Sequence, residues 1–142
     1  MCIRATAVFW LLFVVGCGGP RVAPVSGRVT LDNKALTNAS VVFEPLSNDK
    51  EPGPGSIGKT DADGKYILQL LTSDTRGAIV GKHKVSITAY EGDDSVVPSS
   101  GSDMKFRKAL LADEYNAKSK LTFDVPAGGA TNADFNLTTA RK

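Results

Sequence analysis

Apolar and polar residues alternate with a period of two along most of the chain after residue 25. In residues 25–31, Val25, Gly27, Val29 and Leu31 alternate with polar residues, a pattern typical of a strand that is buried on one face. The same alternation recurs in five later stretches: Ala39/Val41/Phe43, Tyr66/Leu68/Leu70, Val85/Ile87/Ala89, Leu121/Phe123/Val125 and Ala133/Phe135/Leu137. With shorter pieces included, we expect about seven strands.

Turn-forming residues separate these stretches. Residues 32–35 predict a tight turn, residues 45–56 a loop rich in proline and glycine, and residues 126–130 a second loop. In Asp61–Ala62–Asp63–Gly64, Gly64 can take a positive φ. A short helical turn is predicted near Phe106, Leu110 and Leu111. Short strands without a long helix predict a single all-β sandwich over residues 25–138.

The N-terminal segment has a different pattern. Arg4 precedes a mostly apolar stretch, residues 5–15, and Gly16 follows it. Eleven residues are too few to cross about 30 Å of hydrocarbon, which takes roughly 20 residues. A positive charge, a short apolar stretch and a small residue are typical of an export signal. We therefore predict a signal peptide over residues 1–16.

The residues around Cys17 refine this prediction. Val14–Val15–Gly16–Cys17 resembles the bacterial lipobox, which implies cleavage between Gly16 and Cys17 and a diacylglycerol on the Cys17 sulfur. Two or more acyl chains anchor a protein stably, whereas one binds marginally. Residues 17–24 are then expected to form the lipidated cysteine and a flexible tether. An ordinary secretory signal with an incidental cysteine is the alternative.

Composition excludes two classes of protein, namely nucleic-acid-binding proteins and domains held together by disulfides. Of the 17 Lys and Arg residues, Arg4 is removed with the signal, so the remaining chain has 16 basic and 15 acidic residues. This balance lacks the basic footprint of a nucleic-acid-binding protein. Cys2 also lies in the signal, so the remaining chain has no cysteine pair for a disulfide framework. The domain must therefore be stable through its own core.

Two acidic residues raise the possibility of a metal site. Asp61 and Asp63 are the candidates for calcium. Calcium takes six to eight oxygen ligands, and an EF-hand loop ends in a bidentate glutamate. Lys65, Tyr66 and Ile67 follow instead, so an Asp-rich turn held by side-chain to backbone hydrogen bonds is favoured. No metal or other cofactor is predicted.

The single histidine and two tyrosines are the remaining candidates. His83 shares its strand face with Val85 and Ile87, so we expect it at the edge of the core, with a hydrolase using His83 as an alternative. Tyr90 and Tyr115 are candidate ligand-binding residues because aromatic rings stack on sugars. The only tryptophan, Trp10, lies in the predicted signal. Two tyrosines alone do not form a sugar-binding platform.

Three longer stretches resemble a known family. "VSGRVTLDNKALTNASVVFEP", "GKTDADGKYIL" and "GAIVGKHKVSITA" are similar to the carboxypeptidase regulatory-like domain, and "EYNAKSKLTFDV" with "ADFNL" to the ending of small planctomycete-type lipoproteins. The resemblance implies a transthyretin-like β-sandwich without the zinc-binding catalytic portion of metallocarboxypeptidases. The sequence departs from the usual pattern at "DNKAL" and at His83, where an aromatic residue is usual.

Together these features predict an exported bacterial lipoprotein. Acyl chains on Cys17 would hold it to the outer or inner membrane, with the domain outside the cytoplasm. We expect a non-enzymatic envelope or surface module that contacts other proteins through loops 71–81 and 91–108. A carbohydrate or cell-wall binding module is the alternative.

Overall fold

The computed structural model describes residues 19–46, 53–92 and 108–139 and is all-β, as predicted. The described residues form eleven strands and one turn of 3-10 helix at Asp113–Tyr115. The strands are β1 (Val22–Ala23), β2 (Ser26–Leu31), β3 (Lys34–Ala35), β4 (Ser40–Pro45), β5 (Ser56–Lys59), β6 (Lys65–Ile67), β7 (Gln69–Leu70), β8 (Ala78–Ile79), β9 (Gly81–Thr88), β10 (Leu121–Val125) and β11 (Phe135–Leu137).

Two sheets make up the body of the domain. The first is antiparallel and has the order β10-β9-β4-β5-β7. The second is built around β2, which pairs in parallel with β11 and antiparallel with β3 and β6. Antiparallel β1 and β8 form a separate two-stranded sheet.

The inner faces of the two main sheets form one hydrophobic core. Val29, Val41, Phe43, Val85 and Ile87 are fully buried, as the alternation predicts. The ring of Phe43 in the first sheet lies 6.2 Å from that of Phe135 in the second. Burial of each large apolar side chain stabilises the fold by about 1.5–3 kcal/mol. The arrangement is therefore a β-sandwich.

The predicted strand through Tyr66, Leu68 and Leu70 divides between the two sheets. Its first half, β6, pairs with β2, and its second half, β7, pairs with β5. The change occurs at Leu68, which is fully buried and whose N–H donates to the Val25 carbonyl at 2.9 Å. This single segment links the sheets along one side of the sandwich.

The turns follow from residues that tolerate left-handed backbone. Asp32 and Asn33 have φ of 49° and 65° in the two-residue connection between β2 and β3. Two successive positive φ values are the mark of a type I′ hairpin, in which Asn and Asp are favoured. Gly64 has φ of 75°, as predicted. The predicted turn at residues 32–35 is thus confirmed, with β3 beginning at Lys34.

The predicted flexible tether is wrong over its last residues. Val22 and Ala23 form β1, paired with Ile79 and Ala78 of β8. Ala23 and Ala78 are buried in the core cluster, and the Val80 N–H donates to the Arg21 carbonyl at 2.8 Å. The chain is therefore bound into the domain from residue 21 onward. A two-residue strand is too short to show a period, so β1 could not be predicted from the alternation.

Part of the helical turn predicted near Phe106, Leu110 and Leu111 lies outside the described residues. From Lys108 onward the described chain has one turn of 3-10 helix, at Asp113–Tyr115, after Leu110 and Leu111. Leu111 is buried, and an isolated bridge joins Tyr90 to Ala109. Gly16, Cys17, Phe106 and most of the predicted 91–108 loop lie outside the described residues.

A close backbone contact joins β2 to the segment before β11. A Cβ placed on Gly27 would lie 2.0 Å from the Ala133 carbonyl oxygen. The same oxygen accepts a 2.6 Å hydrogen bond from the Tyr66 hydroxyl, and the Ala133 N–H donates to the Ser26 carbonyl at 3.1 Å. Only glycine fits at position 27 without displacing this segment.

We expect Gly27→Ala to lower the free energy of unfolding by about 1–3 kcal/mol, the usual cost of overpacking. The added methyl group would meet backbone, which cannot rotate away as a side chain can. Urea denaturation of the purified domain measures the change. Gly128→Ala is the matched control, since nothing lies within 4 Å of a Cβ there. Equal stability losses in the two variants would contradict the steric explanation.

Candidate functional site

A groove of about 610 Å³ lies where β2, β6 and the segment before β11 meet. Charged side chains of both signs and one tyrosine line it: Arg28, Lys59, Lys65, Asp61, Asp134 and Tyr66. The groove arises from pairing between residues far apart in sequence, because Ser26–Arg28 pair with Lys65–Ile67 and Arg28 also contacts Asp134. It is the candidate binding surface of the domain.

The two carboxylates of the groove are engaged by backbone N–H groups. Asp134 Oδ1 accepts a 2.8 Å hydrogen bond from the Arg28 N–H. Asp61 Oδ1 accepts from the N–H groups of Asp63 and Lys65, both at 2.9 Å. These bonds fix the β5–β6 turn and the position of the C-terminal segment. Both carboxylates therefore have a structural role.

Two of the groove's cations, Arg28 and Lys65, are less constrained. Arg28 Nε donates to the Asp63 carbonyl at 2.9 Å, which leaves the outer N–H groups of the guanidinium for another partner. Among the described residues, no carboxylate lies within ion-pair distance of Lys65. An arginine fork beside a lysine suits carboxylate or phosphate groups. The groove can thus receive a polar, acidic ligand or protein segment.

Asp61 and Asp63, the calcium candidates of the sequence, lie in the turn that borders this groove. Within the described ranges, no three His, Cys, Asp or Glu residues come together as a metal site would require. Asp61 accepts the two backbone bonds of an Asp-rich turn, which is the arrangement that the sequence favours. The structure accounts for this motif by turn formation.

His83 is fully buried in the aromatic part of the core. Its ring lies 5.7 Å from that of Phe43, and Nδ1 donates to the Gly81 carbonyl at 2.9 Å. Nε2 has no hydrogen-bond partner among the residues that the structure describes. Burial lowers the pKa of His83, although the Gly81 hydrogen bond and the Asp124 charge oppose this effect. The ring is therefore neutral near pH 7.

This environment does not match a catalytic histidine. A Ser-His-Asp arrangement needs a serine hydroxyl at one ring nitrogen and a carboxylate at the other. Within the described part of the chain, His83 instead has a backbone carbonyl at one nitrogen and no partner at the other. The predicted position at the edge of the core is too shallow, because His83 lies wholly inside it.

Tyr90 and Tyr115 lie in separate depressions. Tyr90 is 44% exposed and lines one with Asp113 and Asn116. Tyr115 packs partly against the core, and its hydroxyl lies 3.3 Å from Thr138 Oγ1. The two rings do not form one stacking surface. Of the pair, Tyr90 is the more accessible to a sugar.

The sequence missed the groove. The alternation predicts Arg28 and Lys65 at ordinary solvent-facing positions of their strands and Tyr66 in the core. The groove appears only when β2 pairs with β6, and no local pattern specifies that pairing. A basic residue at one outward position of each strand was the only available signal, and such residues are common on exposed strands.

Comparison with known proteins gives no further assignment. No family model matches the chain, and neither curated proteins nor solved structures give a match. Among the described residues, no helix is both long enough and apolar enough to cross a membrane. Function must therefore be argued from the residues themselves.

The buried histidine predicts a pH dependence of stability. Unfolded His83 takes up a proton near its ordinary pKa of about 6.5, whereas the folded protein resists protonation until lower pH. The unfolded state then binds more protons, so stability falls as pH falls from 7 to 5, by at most about 1.4 kcal/mol per pH unit. Urea denaturation at several pH values measures this slope.

His83→Phe is the control for this prediction, because His83 is the only histidine of the chain. The variant keeps an aromatic ring beside Phe43 but has no titrating group. We expect its stability to be nearly flat over the same pH interval. Identical slopes in the two proteins would refute the assignment to His83.

Proposed function

We propose that the protein is a lipid-anchored, non-catalytic module of the bacterial cell envelope that holds a partner protein in the groove beside Arg28 and Lys65. The observation that carries the proposal is the position of Cys17. A lipobox-like Gly16–Cys17 follows the apolar segment, and only residues 18–21 separate Cys17 from β1. An acylated Cys17 would therefore hold the folded domain directly at a membrane.

Physical chemistry supports an anchor of this kind. Removal of residues 1–16 would remove the long apolar segment. The acyl chains on Cys17 would then supply the membrane affinity, because each buried CH₂ contributes about 0.8 kcal/mol to binding. The domain itself is suited to export without disulfides. Its core draws on both sheets and includes Phe43, Leu68 and Ile87, all fully buried.

The groove supports the binding part of the proposal. Its carboxylates are bonded to backbone, while the outer N–H groups of Arg28 and the Lys65 ammonium remain available. This arrangement favours an acidic segment of a protein partner. The contact surface then differs from the 71–81 and 91–108 loops favoured by the sequence. The buried position of His83 supports a non-catalytic role.

The family resemblance stays a proposal. An all-β sandwich with a short hairpin at Asp32–Asn33 and an Asp-rich turn at Asp61 is compatible with a carboxypeptidase regulatory-like, transthyretin-like domain. These features belong to the fold and carry no activity. The resemblance therefore supports a binding module.

Anchoring predicts a defined chemical state at Cys17. We expect the protein extracted from membranes to begin at Cys17 and to carry the mass of diacylglycerol on it. Cys17→Ser should lose this modification, and the cleaved form should leave the membrane fraction. Intact-mass spectrometry and fractionation measure both properties, and Cys2→Ser is the matched control, expected to behave like the parent. A Cys17→Ser protein that lacks its leader yet sediments wholly with membranes would contradict the proposal.

Crosslinking in intact cells tests the groove. Lys65→Glu should lower the yield of the crosslinked partner several-fold, since reversing one charge opposes an acidic ligand. Lys120→Glu, which changes another exposed lysine outside the groove, should leave the yield unchanged. Equal yields for all three proteins would argue against the groove. Loss of glycan-array binding on Tyr90→Ala, with no effect of Lys65→Glu, would favour the carbohydrate alternative.

A further inference from the structure

Two exposed leucines lie at the end of the sandwich where the N-terminal chain joins it. Leu46 is 49% exposed and Leu71 is 59% exposed. The Leu46 N–H donates to the Lys82 carbonyl at 2.8 Å, and the Val80 N–H donates to that of Arg21 at 2.8 Å. The backbone partners of Leu46 and Arg21 are therefore Lys82 and Val80, which are only two residues apart in the chain.

Leu71 belongs to the same end. Its N–H donates to the Gly55 carbonyl at 2.9 Å, and Gly53, two residues earlier, contacts the side chain of Ile79 in β8. Because β8 pairs with β1, a continuous line of contacts runs from Leu71 to the point where the chain joins the domain. We call Leu46 and Leu71, with the adjacent residues 21–22 and 79–82, the N-terminal face.

The chain between Cys17 and β1 limits how far this face can stand from an anchor. Five residue steps join Cys17 to Val22, and an extended chain covers at most about 3.6 Å per step, or about 18 Å in all. The opposite end of the sandwich is farther away. Five residue steps along β2, at about 3.3 Å each, place Leu31 and the β2–β3 turn roughly 17 Å beyond Ser26.

Charge on the N-terminal face and next to it is mixed. Arg21, Arg76 and Lys82 are exposed, and Asp124 lies opposite Lys82 in the β9–β10 pair. Asp74 accepts a 3.2 Å hydrogen bond from Gln69. Long basic side chains can rest their apolar stems on a lipid surface while the charges stay in water. Charge alone therefore does not select one side of the domain for contact with a membrane.

We infer that the N-terminal face docks on the bilayer that carries the anchor, with Leu71 and Leu46 inserted at the boundary between the lipid headgroups and the acyl chains. This inference rests on the proposed acylation of Cys17 and adds an orientation to it. The domain stands with β1 and β8 toward the lipid and the β2–β3 turn away from it. The exposed leucines then have an apolar environment that an isolated domain does not offer them.

Single-tryptophan reporters test the orientation. The only tryptophan, Trp10, leaves with the predicted signal, so the mature protein has no background fluorescence from this residue. Leu71→Trp, Leu46→Trp and, at the far end, the exposed Lys34→Trp are each purified in acylated form. They are reconstituted into vesicles of phosphatidylethanolamine and phosphatidylglycerol whose acyl chains carry bromine, a short-range quencher.

We expect the tryptophans at 71 and 46 to lose most of their fluorescence and to shift to shorter wavelength, while the tryptophan at 34 does neither. Unquenched fluorescence at both 71 and 46 in fully acylated protein would overturn the inference and leave the anchor intact. Stronger quenching at 34 would also overturn it. Intact mass checks the anchor separately, and an unmodified Cys17 would overturn the proposed function and this inference together. Equal urea midpoints show that each variant is folded.

Discussion

The contact between Gly27 and Ala133 is the constraint on which the rest of the sandwich depends. It lets the C-terminal segment lie against β2 so closely that no side chain fits between them. The Tyr66 hydroxyl donates to the same Ala133 oxygen, so β6 is fixed by the contact as well. At the far end of β11, the Thr139 N–H and hydroxyl donate to the two carboxylate oxygens of Asp32. These bonds lower the pKa of Asp32.

The pairing of β11 with β2 in the second sheet also determines which residues line the groove. β11 pairs with β2 in parallel, which brings Asp134 beside the N–H of Arg28. That bond ties the Asp134 carboxylate to backbone, while Nε of the Arg28 guanidinium donates to the Asp63 carbonyl. The surface proposed to bind a partner is therefore a product of the same chain closure that holds the core together. A change that loosens this closure would disturb the core and the groove together.

The sequence predicted the parts of the fold that local chemistry decides. Alternation located the inward positions of β2, β4 and β9, where Val29, Phe43 and Val85 are fully buried, and positive-φ residues located the turns at Asp32 and Gly64. Pairings between distant segments left no such signal. Val29 and Phe135 are register partners more than a hundred residues apart, and the crossing between sheets at Leu68 continues an unbroken alternation. The groove, which both pairings create, was accordingly not predicted.

Orientation at a membrane would also constrain how the groove is used. The groove lies along the β2–β6 flank, with Ser26 and Ile67 toward the N-terminal face and Lys65 farther from it. A domain that rests on its N-terminal face would open this groove sideways, parallel to the bilayer. A partner would then have to approach within the length of a strand from the lipid, about 20 Å. This geometry favours partners that are themselves held at the membrane, because both proteins are then confined to the same thin layer and meet at a high effective concentration.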